Sequence, residues 1–127
     1  KDLYGIDRRT ALKLSSSFGG GMGRLREVCG SVSGMFLTAG ILYGYDSPKD
    51  RSSKTEHYKR IQELARSFEE LNGSIVCREL LGLDQKKESY VPEERTKDYY
   101  RKRPCEQIVG CAAYIMEEYI RNHPILS

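Results

Sequence analysis

The stretch from Val28 to Tyr43 constrains the fold more than any other part of the chain. Val32, Met35, Phe36, Leu37, Ala39, Ile41 and Leu42 leave it without a polar side, and a helix that is apolar all round is a buried, central one. Gly30, Ser33, Gly34 and Gly40 would let neighbouring backbones come close to it, and Gly44 suits its C-terminal end. Such a helix needs others around it, and the remaining sequence supplies them. Asp7 is placed to cap a helix carrying Ala11, Leu12, Leu14 and Phe18. Tyr58, Ile61, Leu64, Ala65, Phe68 and Leu71 recur at steps of three and four, an amphipathic helix that follows cap residues in 48–53 and stops at Asn72-Gly73. Ser74 is placed to cap a short helix holding Ile75, Val76, Cys77, Leu80 and Leu81, closed by Gly82. The charged, tyrosine-bearing stretch 85–103 contains Pro92 and reads as a surface loop or short helix. Pro104 suits the first position of a last helix that runs to about Asn122. No alternating strand pattern of useful length and no internal repeat appears. The expectation is an all-α, single-domain bundle spanning residues 1–127, of about five helices around a central small-residue and apolar helix.

A chain of 127 residues buries roughly two thirds of its unfolded surface. It needs neither a metal nor a disulfide merely to stay folded. The formal charge is +3, with both signs interspersed, too weak a bias to indicate nucleic acid. The basic run Tyr99 to Arg103 reads as a solvated segment before the last helix. No apolar run approaches the roughly 20 residues of a membrane span; the longest, Met35 to Tyr43, is broken by Thr38 and Gly40. Lys1-Asp2-Leu3-Tyr4 reads as an interrupted helix end, so an N-terminal piece is expected to precede it.

Four cysteines are too sparse for a secreted disulfide scaffold. At 100° per residue, Ala112, Met116, Tyr119 and Val109 lie within about 40° of Cys105 on the last helix, and Cys111 about 120° away. That makes Cys105 the site candidate of the two and Cys111 a packing residue. Cys105 falls in the first turn of its helix after Arg101-Lys102-Arg103, where the positive dipole end and nearby cations are expected to lower a thiol below its free value of about 8.5. Cys77 follows the Ser74 cap with Arg78 beside it. Cys29 stands near the start of the central helix, just after Arg24 and Arg26. Three cysteines near helix beginnings, each with an arginine close by, form the pattern a thiolate cluster needs. The competing readings are simple packing, because free cysteine is among the most buried residues, and a structural disulfide, which sequence spacing alone does not decide.

The glycine block Gly19-Gly20-Gly21-Met22-Gly23-Arg24 must be irregular, because glycine disfavours helix. It is not a dinucleotide fingerprint, which needs glycine where Arg24 stands and a strand where a helix is read. The Gly-Lys-Ser/Thr ending of a Walker motif is absent as well. Gly20, Gly21, Gly30 and Gly34 are instead expected to let backbone pass close to the central helix and to leave room around Cys29, with Arg24 as the electropositive neighbour. His57, on the exposed side of its helix, and His123, at the chain end, lack zinc-finger spacing, and no Cys-x-x-Cys occurs. A metal site would have to be assembled from the distant thiolates.

The run Phe18-Gly19-Gly20-Gly21-Met22-Gly23-Arg24, followed by Glu27-Val28-Cys29-Gly30-Ser31-Val32-Ser33-Gly34 and Gly40-Ile41-Leu42-Tyr43-Gly44, resembles the C_GCAxxG_C_C family, whose members are expected to be redox-active. Cys77-Arg78-Glu79-Leu80-Leu81-Gly82 and Arg103-Pro104-Cys105 resemble it too. Of the four cysteines characteristic of that family, Cys29, Cys77 and Cys105 match the last three. Ser31 stands where the motif has alanine, the early cysteine has no counterpart after Lys1, and Cys111 matches no family position. The resemblance implies redox activity or metal binding in a bacterial cytoplasmic protein.

The first reading is therefore a thiol redox protein in which two of Cys29, Cys77 and Cys105 cycle between dithiol and disulfide. The second is a module in which the same three thiolates, with one further ligand, hold an iron–sulfur cluster or a soft metal ion. The third is a structural or interaction domain whose cysteines only pack. Substrate, redox partner and oligomeric state stay open.

Overall fold

The structure is a computed structural model that describes residues 5–82 and 105–125, with the side chain of Cys105 outside that description. The readings made for Lys1 to Tyr4, for residues 85–103 and for Pro104 lie outside the described residues.

Helix α1 (Arg8–Ser15) starts as expected at Asp7, whose carboxylate accepts a hydrogen bond from the Thr10 amide at 2.7 Å. A single 3₁₀ turn (Ser16–Phe18) continues it. It adds nothing to the core, because α1 buries none of its residues and Leu12 and Leu14 are exposed.

The bundle proper is built from α2 (Gly30–Tyr43), α3 (Arg51–Asn72) and, at the C-terminal end, a long helix (Cys105–Asn122). Between α3 and that helix lies the one-turn α4 (Cys77–Leu80); the last helix is α5. One contiguous core joins Val32, Met35 and Ala39 of α2, Leu64 and Phe68 of α3, and Ile108, Ala112, Ile115 and Met116 of α5. Asp50 caps α3 by accepting from the Ser53 amide at 3.0 Å and hydroxyl at 2.7 Å. Gly73, at φ 92°, closes it in the left-handed conformation that favours glycine.

Three sequence expectations need correction here. Helix α2 is apolar all round but covered on one side only; Leu37 and Ile41 are exposed, and a Cβ on Gly34 or Gly40 would meet nothing within 4 Å. Two partner helices cannot enclose a third, and α1 does not complete the ring. On α3, Tyr58 and Leu71 belong to the apolar stripe in sequence but are exposed at its two ends. On α5 the buried residues Ile108, Ala112, Ile115 and Met116 centre about 35° to one side of the Cys105 direction at 100° per residue. Val109, on the other side, is exposed. Among the described residues no helix is long and apolar enough to cross a membrane.

The two caps carry a pH signature. Hydrogen bonds from Thr10 and from Ser53 hold the Asp7 and Asp50 carboxyls below their ordinary value. A carboxyl depressed in the folded state contributes its stability above the unfolded value, about 4, and loses it as pH falls through the folded one. The gap in Tm between the parent and Asp50→Ala is expected to be constant above pH 5 and to close towards pH 2. A gap that stays constant over that range in a thermal-melt series would refute the assignment.

Candidate thiol site

The glycine block folds into a single left-handed turn. Gly20, Gly21, Met22, Gly23 and Arg24 have φ of 66, 69, 71, 62 and 68°, and the Gly19 carbonyl accepts from the Gly23 amide at 2.9 Å. L-residues reach this region at a cost of about 1–2 kcal/mol each, so Met22, Arg24 and, further on, Arg26 at φ 61° are strained. Such strain persists only where the surroundings over-determine it. Here the Leu25 amide is tied to the Met22 carbonyl and the Glu27 amide to the Gly21 carbonyl, at 3.1 and 2.9 Å.

The turn delivers the chain into a single antiparallel bridge. Val28 pairs with Val76, the Cys29 amide donates to the Ile75 carbonyl at 2.8 Å, and the Cys77 amide donates to the Glu27 carbonyl at 2.5 Å. The expected helix from Ile75 is therefore absent. Val76 is extended, α4 begins at Cys77, and the Ser74 hydroxyl accepts from the Val76 amide while donating to the Glu79 carboxylate. In this register Cys29 and Cys77 flank the Val28–Val76 pair as diagonal neighbours on one face. Diagonal positions of a regular ladder stand about 7–8 Å apart, just beyond the Cα range of a disulfide. Both thiols are free, Cys77 buried and Cys29 half-buried at the N-cap of α2.

Arg26 is the residue that sequence reasoning undervalued. It is 1% exposed, and its Nη1 donates to Cys77 Sγ at 3.5 Å. Arg78, the neighbour expected to serve Cys77, points elsewhere; its Nη1 donates to the Arg26 carbonyl and to the Glu27 carboxylate, both at 3.2 Å. Arg24, expected to be the cation of the site, is half-buried and packs over Gly20, with its Cγ 2.9 Å from where a Gly20 Cβ would lie. The run Arg24-Leu25-Arg26 held no sign of which arginine turns inward, because the choice is made by the left-handed turn.

A cavity of about 330 Å³ opens over these groups, lined by Gly20, Gly21, Arg26, Cys29, Gly30 and Cys77 with Phe18, Leu81 and Val109 among its apolar walls. Three of the four candidate glycines thus share a cavity with two of the candidate cysteines. Gly21 is needed for space as well as for φ, because a Cβ there would stand 2.5 Å from Cys77 Cβ and 2.9 Å from Arg26 Cα. Gly30 is the α2 glycine that does admit a neighbouring backbone, the Phe18 carbonyl lying 2.8 Å from its would-be Cβ. Gly34 lines a separate groove between α2 and α5, with Met35, Thr38, Ala112 and Met116.

Cys105 is the first residue of α5, one turn before Val109, but its side chain lies outside the described residues. The structure therefore brings together two of the three candidate thiols. Cys111 packs against the core and accepts from Asn72 Nδ2 at 3.4 Å, consistent with a packing role. Among the described residues no three His, Cys, Asp or Glu side chains group as metal ligands.

His57 is not on an exposed face as expected. It is half-buried, edge-on to Tyr45, with Arg60 Nη1 at 3.0 Å from its Nδ1. Burial, then the Arg60 charge, push its pKa down. Arg60 also stacks over Tyr43 at 4.7 Å and donates to the Tyr119 hydroxyl at 3.0 Å. This group ties the end of α2 to α3 and α5.

A family profile described as "Putative redox-active protein (C_GCAxxG_C_C)" matches residues 1–119. No curated protein and no solved structure matches the chain.

Proposed function

Because the chain belongs to the C_GCAxxG_C_C family, we propose that it is a thiol redox protein whose working pair is Cys29 and Cys77. The observation that carries this reading is that both free thiols line one small cavity that also holds a buried guanidinium. In the reducing direction an external thiolate attacks the Cys29 sulfur, the more open of the two. The Cys29–Cys77 bond breaks, and its electron pair leaves on Cys77. Arg26, already donating to that sulfur, supports the developing negative charge. A second external thiol then displaces the mixed disulfide from Cys29. The balance is one protein disulfide and two thiols giving the protein dithiol and one external disulfide, and the reverse sequence oxidises the pair. A reducing compartment such as the cytoplasm suits such a cycle.

The test is thiol mapping on the full chain. After mild oxidation with diamide and alkylation of what remains, peptide mass mapping is expected to show Cys29 joined to Cys77 and Cys111 alkylated. Reductant should restore both thiols. Recovery of Cys29 and Cys77 both alkylated, or joined to other cysteines, would overturn the assignment.

A further inference from the structure

We propose that the oxidant consumed at this site is a small hydroperoxide, reduced at Cys77; the inference rests on the Cys29–Cys77 dithiol reading above. Thiol–disulfide exchange with a protein partner asks for an accessible sulfur, and Cys77 is 7% exposed. A cavity of about 330 Å³ takes a small molecule, not the backbone that surrounds a protein disulfide. Breaking an O–O bond is accelerated by a cationic donor beside the attacking sulfur, because negative charge develops on the departing oxygen. Arg26 Nη1, 3.5 Å from Cys77 Sγ and lining the same cavity, stands where that charge would appear. Its burial keeps the interaction from being weakened by water.

The glycines point the same way. A Cβ on Gly20 would lie 3.5 Å from Arg26 Nη1, and one on Gly21 would collide with Cys77. Gly20 and Gly21 thus set no side chain of their own over the guanidinium and the thiol, and it is Arg24 that lies across Gly20. Cys29, on the same wall, supplies the second thiol that a newly formed sulfenic acid requires before it oxidises further.

The chemistry balances in two steps. Cys77–SH and ROOH give Cys77–SOH and ROH, the sulfur taking the distal oxygen while the thiol proton ends on the alcohol. Cys29–SH then attacks the Cys77 sulfur, forming the disulfide and releasing water. Two equivalents of an external thiol return the pair to the dithiol.

The experiment compares oxidants on the reduced full-length chain. Hydrogen peroxide and cumene hydroperoxide are each expected to form the Cys29–Cys77 disulfide roughly 100-fold faster than they oxidise free cysteine, the effect of one well-placed donor on developing charge. In Cys29→Ser, dimedone should trap sulfenic acid on Cys77. Arg26→Met should slow the peroxide reaction by a similar factor while oxidation by diamide changes little; the trapping assay decides if that variant does not fold. Disulfide formation with diamide but peroxide reactivity no greater than that of free cysteine overturns this proposal and leaves the dithiol reading standing. No Cys29–Cys77 disulfide with any oxidant overturns both.

Discussion

Gly21→Ala is expected to destabilise the protein by about 2–5 kcal/mol, whereas Gly34→Ala should stabilise it by about 0.5–1 kcal/mol. Two independent costs add at Gly21. Its φ of 69° puts an alanine in the left-handed region, at about 1–2 kcal/mol. The new methyl must also displace Cys77 Cβ, Arg26 Cα and the Glu27 amide, from which it would stand 2.5, 2.9 and 3.0 Å. Two of these are backbone atoms held by the turn and the bridge, so overpacking adds about 1–3 kcal/mol. At Gly34 neither cost exists. The residue is inside α2, its Cβ would meet nothing within 4 Å, and glycine is the poorer helix former. At about 4 °C per kcal/mol for a chain of this size, Gly21→Ala should lower Tm by roughly 10–20 °C. A urea titration finding Gly21→Ala within about 0.5 kcal/mol of the parent would remove the close Gly21–Cys77 contact from the account of the site.

The contrast between these glycines shows what a linear sequence reveals and what it hides. Local chemistry is legible. Asp7 and Asp50 with Ser53 act as caps, Gly73 and Gly82 close their elements with positive φ, and the 3–4 spacing in α3 finds Leu64 and Phe68. The all-helical architecture follows from those signals. Coverage is not legible, because it depends on how many partners arrive. The hydrophobic pattern of α2 is that of an enclosed helix, yet Leu37 and Ile41 face outward because α1 does not pack over them. For the site, the sequence marked Cys29, Cys77, Gly20, Gly21 and Gly30, and the structure places all five around one cavity. It put Arg24 and Arg26 beside Cys29 and Arg78 beside Cys77, where the buried cation on Cys77 is Arg26. That choice depends on five successive left-handed residues, a conformation that non-glycine residues adopt singly and not in series, so no propensity rule could assign the direction of each arginine. The pairing of Val28 with Val76 was hidden for a related reason, since a single bridge is too short to show alternation.

Phe68→Ala should cost about 3–5 kcal/mol, the range for deleting a fully buried aromatic ring from a packed core, while Leu71→Ala stays within about 0.5 kcal/mol. Both residues lie on the apolar stripe of α3 in sequence, and only their placement separates them. Phe68 is fully buried, in the cluster that joins α2, α3 and α5, whereas Leu71 is among the exposed apolar residues. Against a total stability on the order of 5–15 kcal/mol, the first substitution removes a large share. It should lower the denaturation midpoint with little change in slope, because the surface exposed on unfolding hardly alters. The same variant tests where the thiol site sits energetically. Cys77 is buried but is not part of that core cluster; it is held by the bridge, by Arg26 and by the left-handed turn. Its exposure is therefore expected to come from local opening of those contacts, not from unfolding of the bundle. Alkylation of Cys77 under native conditions should then run at nearly the parent rate in Phe68→Ala, although the folded state has lost several kcal/mol. An acceleration on the order of 100-fold, the factor that about 3 kcal/mol gives when opening is global, would show that the thiol is protected by the core itself.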